Sequence, residues 1–391
     1  MNNYQGKISR RRLFSFIAYL LSALSVAALV IWLSFAVHPP VVAQTDELID
    51  ELEIVAEFPV EHPPGNIAVT PTGRIIMSQH QFYGAPLRVV ELLADNSVVP
   101  FPNQAWSNQP EEKGKGIGLN SVLGVRADEN GVVWMLDRSE GKGQPGKIVG
   151  WDTENNQLYQ IIYLPQPIIP EDSFLNDLAV DLDHNAIYLT DTAGGNNSAL
   201  IVVDLTTGFS RRVLEGDVST RPEDIPLIID ERVINLAGKP AQIGANPITV
   251  DPNNEWVYYA PMSGTSLYRI ATADLLDPAL APEELSRRVE RYGDKPICDG
   301  ITVDGAGNVY ITSISDHAIG VVDATGTYQT LYQDKKLLSW TDGMAFSSDD
   351  YIYVTVSQLQ NSPPLNNGEN AFKAPFYLVR FPALASGEVG R

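Results

Sequence analysis

Asn176, Asn246, Asp299 and Asp342 each carry a side-chain oxygen, and each stands four residues before the end of a short apolar run. The runs read Asn176-Asp177-Leu178-Ala179-Val180, Asn246-Pro247-Ile248-Thr249-Val250, Asp299-Gly300-Ile301-Thr302-Val303 and Asp342-Gly343-Met344-Ala345-Phe346. Two more copies, Gly65-Asn66-Ile67-Ala68-Val69 and Ser121-Val122-Leu123-Gly124-Val125, put Gly65 and Ser121 at the same place. In a radial repeat, equivalent positions converge on one axis. Oxygen ligands converging on a narrow axis suit a hard cation such as Ca²⁺. The same groups would equally orient a polar ligand at the bottom of a cup. A plainer reading stays open, because Asp-Gly and Asn-Pro are ordinary turn pairs whose side chains often cap their own backbone. The candidate ligand-binding ring is Ser121, Asn176, Asn246, Asp299 and Asp342, with Gly65 offering no group.

The elements that must position this ring follow from the same repeat. Its end residues fall at Val69, Val125, Val180, Val250, Val303 and Phe346, with gaps of 56, 55, 70, 53 and 43 residues. After each run comes a polar turn, such as Asp-Glu-Asn-Gly at 128–131 or Asp-Gly-Ala-Gly-Asn at 304–308. These turns tolerate positive φ and so suit hairpins. A second strand follows, rich in aromatic and β-branched residues, as in Ala186-Ile187-Tyr188-Leu189-Thr190-Asp191. About four strands per ~50-residue unit, six times over, predicts an all-β fold, a six-bladed β-propeller of four-stranded antiparallel blades around a central channel. The first strand of each blade would line the channel, its near-continuous apolar run fitting burial on both faces. The third gap holds Leu214 to Gln242, an expected insertion near the channel mouth. Ala271 to Leu285 is expected to hold a helical turn or two broken by Pro278 and Pro282, and 361–375 a surface loop.

The N-terminus reads separately. Lys7 and Arg10-Arg11-Arg12 precede an uncharged apolar run of 25 residues, 13–37, and Val41-Val42-Ala43 resembles a peptidase site. Residues 1–43 are therefore expected to be a signal peptide or, if uncleaved, a membrane anchor through 13–37. Ser9 to Phe14 also resembles a twin-arginine export signal, and Sec or twin-arginine export stays open. Residues 44–391 are expected to form a single propeller domain, exported, secreted or periplasmic, and monomeric. The net charge is −21; residues 1–43 carry four Lys/Arg and no Asp/Glu, so the remainder stands at −25. So acidic a body argues against nucleic acid or an anionic membrane surface as partner and leaves a small molecule. The single Cys298 excludes an internal disulfide.

Other motifs are weak. No Gly-x-Ser-x-Gly or His-Glu-x-x-His occurs. Gly141-Lys142-Gly143-Gln144-Pro145-Gly146 has the letters of a dinucleotide fingerprint but sits in a hairpin loop with no helix after it. The five histidines show no metal-ligand spacing; His80, at a strand end, would face a cavity or serve a surface or structural role.

Several segments together resemble the major royal jelly/yellow protein family. They are Phe174-Leu175-Asn176-Asp177-Leu178-Ala179-Val180-Asp181, the stretch Trp256 to Ile270, Leu338-Ser339-Trp340-Thr341-Asp342-Gly343, and Ala374-Pro375-Phe376-Tyr377. That resemblance implies a secreted six-bladed propeller that binds a small polar, amine or phenolic molecule in its channel. Some relatives are related to dopachrome conversion, so an isomerase activity is among the implied possibilities. The chain is more distantly similar to the gluconolactonase/senescence-marker propellers, which hold a divalent metal with a Glu, an Asn and an Asp. The Asn would map to Asn246, the Asp to Asp299, and a neighbouring Asn to Asn176; Gly65 stands where the Glu belongs. The rival expectation is thus a metal-dependent hydrolase acting on a lactone or ester, with Asp299 as the catalytic carboxylate and Ca²⁺ or another divalent cation on Asn246, Asp299 and Asn176.

Overall fold

A computed structural model describes residues 51–108, 118–138, 145–193 and 197–391. The expected leader at 1–43 and most of the glycine-rich loop, 141–144, lie outside the described residues. Residues 48–391 form one compact unit.

Six four-stranded antiparallel sheets surround a common axis. Their innermost strands are Pro64–Val69, Val122–Ala127, Leu175–Asp181, Ala245–Val250, Cys298–Val303 and Thr341–Phe346, here blades 1 to 6 in chain order. Each packs on the next, and the sixth packs back on the first, so the ring is closed. Blades 1 to 5 are built from consecutive strands. Blade 6 takes its outermost strand, Glu53–Phe58, from the start of the propeller, paired with Phe376–Pro382. This strand fastens the ring across its only chain break, a feature no periodicity in the sequence announces.

Burial on both faces explains the apolar inner strands. Leu178 and Val180 join the core between blades 2 and 3, whereas Ala179 between them joins the core between blades 3 and 4. Alternate side chains of one strand thus feed two interfaces, the period-two geometry of a strand.

All six inner strands break register with their neighbour at the same place, between Pro64/Ile67, Val122/Val125, Leu175/Leu178, Ala245/Ile248, Cys298/Ile301 and Thr341/Met344. A bulge re-aims a side chain and leaves a backbone amide without a ladder partner. In four blades a hydroxyl of the second strand accepts that amide: Ser78 from Asn66 (2.9 Å), Thr190 from Asp177 (3.1 Å), Thr312 from Gly300 (2.7 Å) and Thr355 from Gly343 (3.1 Å). Three of these hydroxyls donate onward to the neighbouring blade, Ser78 to the Leu123 carbonyl, Thr190 to that of Asn246 and Thr355 to that of Gly65. The glycines follow from this close approach. A Cβ on Gly300 would lie 2.1 Å from the Asp342 carbonyl oxygen, and one on Gly343 would lie 2.7 Å from the Asn66 Cα. The Asp-Gly pairs are therefore blade contacts rather than simple turns.

The insertion after blade 3 forms two short hairpins, Ile228–Ile229 with Arg232–Val233 and Asn235–Leu236 with Lys239–Pro240. Leu227, Ile229, Ile234 and Ala241 pack with Trp340, Leu359 and Leu365, making a small roof core over one mouth of the axis. The loop expected to be mere surface thus contributes Leu365 to that roof. Around Pro278 and Pro282 the helices are Thr272–Leu276 and Pro282–Arg288, with Pro282 opening the second helix rather than breaking one. At the opposite mouth, Arg391 donates to the Val180 carbonyl and to Asn254 Oδ1.

Candidate functional site

The bulges aim the ring residues into one cavity of about 240 Å³. Gly65, Asn176, Asn246, Asp299 and Asp342 all line it. Ser121 does not. In blade 2 the ladder begins directly at Val122 opposite Asp137, so Ser121 precedes it. Its amide donates to Asp137 and its hydroxyl accepts from Arg138 Nε at 3.0 Å. Arg138 in turn lies 4.0 Å over the Phe174 ring, which does line the cavity. Ser121 therefore acts one step behind the surface, and Leu123 represents blade 2 in the wall.

Asp299 is the best-anchored member. Its Oδ1 accepts from Asn246 Nδ2 at 2.5 Å and its Oδ2 from Trp340 Nε1 at 2.6 Å. Trp340 holds φ at 56°, a left-handed conformation that costs a bulky residue energy and marks an imposed position. Asn246 is fully buried, and its Oδ1 has no hydrogen-bond partner among the described residues. Asp342 faces the cavity, and among the described residues the Ser357 hydroxyl assists it. Both aspartates are half-buried and line the cavity.

Two residues missed by the reading of position four complete the floor, and a third, Trp340, stands in the wall above it. Asp177, one place after Asn176, accepts from Asn66 Nδ2 at 2.9 Å and pairs with Arg126 at 3.1 Å. Arg126 also donates to the carbonyls of Leu178 and Met344, so its guanidinium links blades 2, 3 and 6 across the axis. The channel is a cup with a floor. Asp177 was recognisable only as the second polar letter of Asn-Asp; Arg126 and Trp340 carried no repeat signal.

Burial pushes Asp299 up to about 6, against the donors Trp340 and Asn246 that pull it down, with the Asp177 charge adding to the rise. Burial likewise raises Asp342, and the charges of Asp299 and Asp177 raise it further. Asp177 is raised by burial too, but Arg126 offsets it. Of the four carboxylates that line the cup, Asp177 is paired with Arg126, Asp172 is exposed and accepts from Asn197, and Asp299 and Asp342 form no ion pair among the described residues. Above them stands an apolar wall of Phe82, Phe174, Met262, Trp340 and Leu359. His80, expected either to face a cavity or to serve a surface or structural role, lines this wall and is buried. Burial, then the Arg138 charge, lowers it to about 3, so it is neutral at pH 7.

The profile described as major royal jelly protein matches residues 120–375, well over half of the chain. A search of curated protein sequences gives no match. Among solved structures the chain is similar to the luciferin-regenerating enzyme (12% identity, 87% of this chain and 99% of that one, TM-score 0.55). It is also similar to a gluconolactonase from Xanthomonas campestris (13%, 85% and 89%, 0.53). A third is the calcium-binding protein regucalcin from Agrobacterium tumefaciens (13%, 86% and 98%, 0.51). At these identities the likeness shows the fold alone.

The donor set fits poorly the divalent metal that the gluconolactonase resemblance implies. Gly65 supplies no ligand, both Asp299 oxygens already accept hydrogen bonds, and Asn246 turns its amide nitrogen toward Asp299. Among the described residues, no group of three or more His, Cys, Asp or Glu is placed to hold a metal ion.

Proposed function

We propose that this chain, which belongs to the major royal jelly protein family, binds a small organic cation in its cup, an amine carrying an aromatic or phenolic ring. One observation carries the reading: Asp299 and Asp342, half-buried in one cavity against an apolar wall, have no cationic partner among the described residues. Two buried like charges of this kind are costly, and a bound cation relieves the cost. An ammonium group donates to Asp342 and Asp299, and the ring lies against Phe82, Phe174 and Trp340. A cavity of about 240 Å³ suits a single ring with a short arm rather than a larger ligand. The apolar segment 13–37 with its basic flank supports export of the propeller.

The test is calorimetric titration of the purified protein with monoamines, amine-free phenols, sugars and a lactone, with and without chelator. Saturable binding of amines, unchanged by chelator, is expected. No amine binding, or chelator-sensitive lactone turnover, would overturn the reading, and the second result would favour the metal-dependent hydrolase.

A further inference from the structure

Blade 1 breaks the ring. Its position-four residue is Gly65, and the reason is local: a Cβ there would lie 2.7 Å from Ser78 Oγ. That hydroxyl cannot move, because it accepts from the Asn66 amide and donates to the Leu123 carbonyl, tying blade 1 to blade 2. The same absent Cβ would lie 3.8 Å from His80 Cδ2. Cδ2 is bonded to Nε2, so the imidazole edge occupies the space a ring side chain from blade 1 would have filled. Blade 1 thus adds a polar group from the end of its second strand, while Asn66 of its first is already bonded to Asp177.

The state of that imidazole is fixed by its neighbours. The Phe82 amide donates to Nδ1 at 3.3 Å, and His80 caps the short turn Gln81–Tyr83. Accepting at Nδ1 assigns the proton of the neutral ring to Nε2. The Phe82 ring packs edge-on at 4.7 Å and fixes the tilt. No described protein group accepts from Nε2, although His80 is 6% exposed and lines the cavity. Because the ring is buried and Arg138 stands near, it does not become a cation that would itself neutralise Asp342 and Asp299. It is an N–H donor without a protein acceptor among the described residues, in a cup whose other polar groups include the carboxylates of Asp299 and Asp342.

We infer that His80 selects among amines: its Nε2–H donates to an oxygen, hydroxyl or carbonyl, of the same molecule whose ammonium sits on Asp299 and Asp342. The assignment rests on the amine reading above and narrows it to amines that carry a second, oxygen-bearing polar group. It also explains the departure at Gly65, since a carboxylate there would repel such an oxygen while an N–H attracts it.

The probes are tyramine and phenethylamine, which differ by one hydroxyl, titrated calorimetrically into wild type, His80→Leu and His80→Gln. A net hydrogen bond makes wild type favour tyramine by about 2- to 12-fold. His80→Leu brings the ratio to about one, and His80→Gln, which keeps a donor, retains part of the preference. Should His80→Leu not fold, nitrogen NMR of the wild-type histidines reads the same point: tyramine, not phenethylamine, shifts the His80 Nε2 resonance. An unchanged ratio in His80→Leu, or an unmoved Nε2 resonance, overturns the assignment while leaving the amine site standing. If neither amine binds, the amine reading itself has failed and the assignment falls with it.

Discussion

Replacing Asp299 by Asn is the sharpest perturbation of the cup, because it removes one charge and almost no volume. The Trp340 indole still finds an oxygen to donate to. The new amide meets the Asn246 Nδ2, so the Asn246 side chain must flip to turn its Oδ1, at present without a partner, toward it. Against an ammonium ~4 Å away, a carboxylate in surroundings of effective permittivity ~20 contributes about 4 kcal/mol of attraction. Desolvation of both ions takes back a large share, and a hydrogen bond to a charged group retains about 1.5–3 kcal/mol net. At 1.4 kcal/mol per tenfold, tyramine affinity should fall by about 10- to 150-fold. Stability should move the other way. Asp299 sits near Asp342 and Asp177, and each of these charges disfavours the other ionised groups. Losing one relieves that repulsion, so the midpoint of thermal unfolding at pH 8 should hold or rise. Calorimetry at pH 8 beside a thermal melt reads both. An affinity within twofold of wild type refutes the charge argument. A marked drop in melting temperature refutes the like-charge reasoning and makes Asp299 a structural anchor.

Tyramine affinity should also depend on pH. The folded Asp299 holds its proton up to about 6, above the 3.8 of an ordinary aspartate, so it is mostly ionised at pH 7 and mostly neutral at pH 5. Binding at pH 5 should therefore be about tenfold weaker than at pH 7, levelling above, and a flat calorimetric profile from pH 5 to 7 would refute this. The sign for stability is opposite: between 3.8 and about 6 the folded chain binds a proton the unfolded chain lacks, so this group's contribution falls as pH rises through that window. Gly300→Ala should cost about 1–3 kcal/mol by forcing a Cβ against the Asp342 carbonyl, 2.1 Å away, and should weaken tyramine binding by displacing that residue. Chemical denaturation and calorimetry measure the two losses; wild-type values in both would show that the blades are not in such contact.

The fold was legible in the sequence because each inner strand is buried on both faces and so writes a continuous apolar run. Leu178 and Ala179 serve different interfaces, yet both must be apolar. Four ring residues were legible for a related reason: one bulge recurs at one register, and its position can be counted back from the strand end. Counting failed at Ser121, because blade 2 begins its ladder later and leaves that residue tied to Asp137 and Arg138. It could not reach Arg126, Trp340 or the roof over the cup, whose roles arise from contacts 51 to 218 residues apart or from a single strained backbone torsion. The closing strand Glu53–Phe58 was equally silent, since a lone strand has no period.

What distinguishes this cup is how unevenly a symmetric backbone is furnished. Blades 3 to 6 use the bulge to present Asn176, Asn246, Asp299 and Asp342, while blade 1 must keep glycine at the same place to preserve the Ser78 bridge. A hard cation wants oxygen donors of negative charge around it, and ligand charge sets its affinity. Here one side of the ring offers a neutral imidazole, and the floor carboxylate Asp177 is already spent on Arg126. With Asp172 exposed and bonded to Asn197, that leaves Asp299 and Asp342, an N–H donor from blade 1 and an apolar wall between roof and floor. A metal ion has no use for the wall or the donor; an organic cation with a ring and an oxygen has a use for each. The departure at Gly65, a loss when measured against a metal site, is on this geometry the feature that makes room for a molecule.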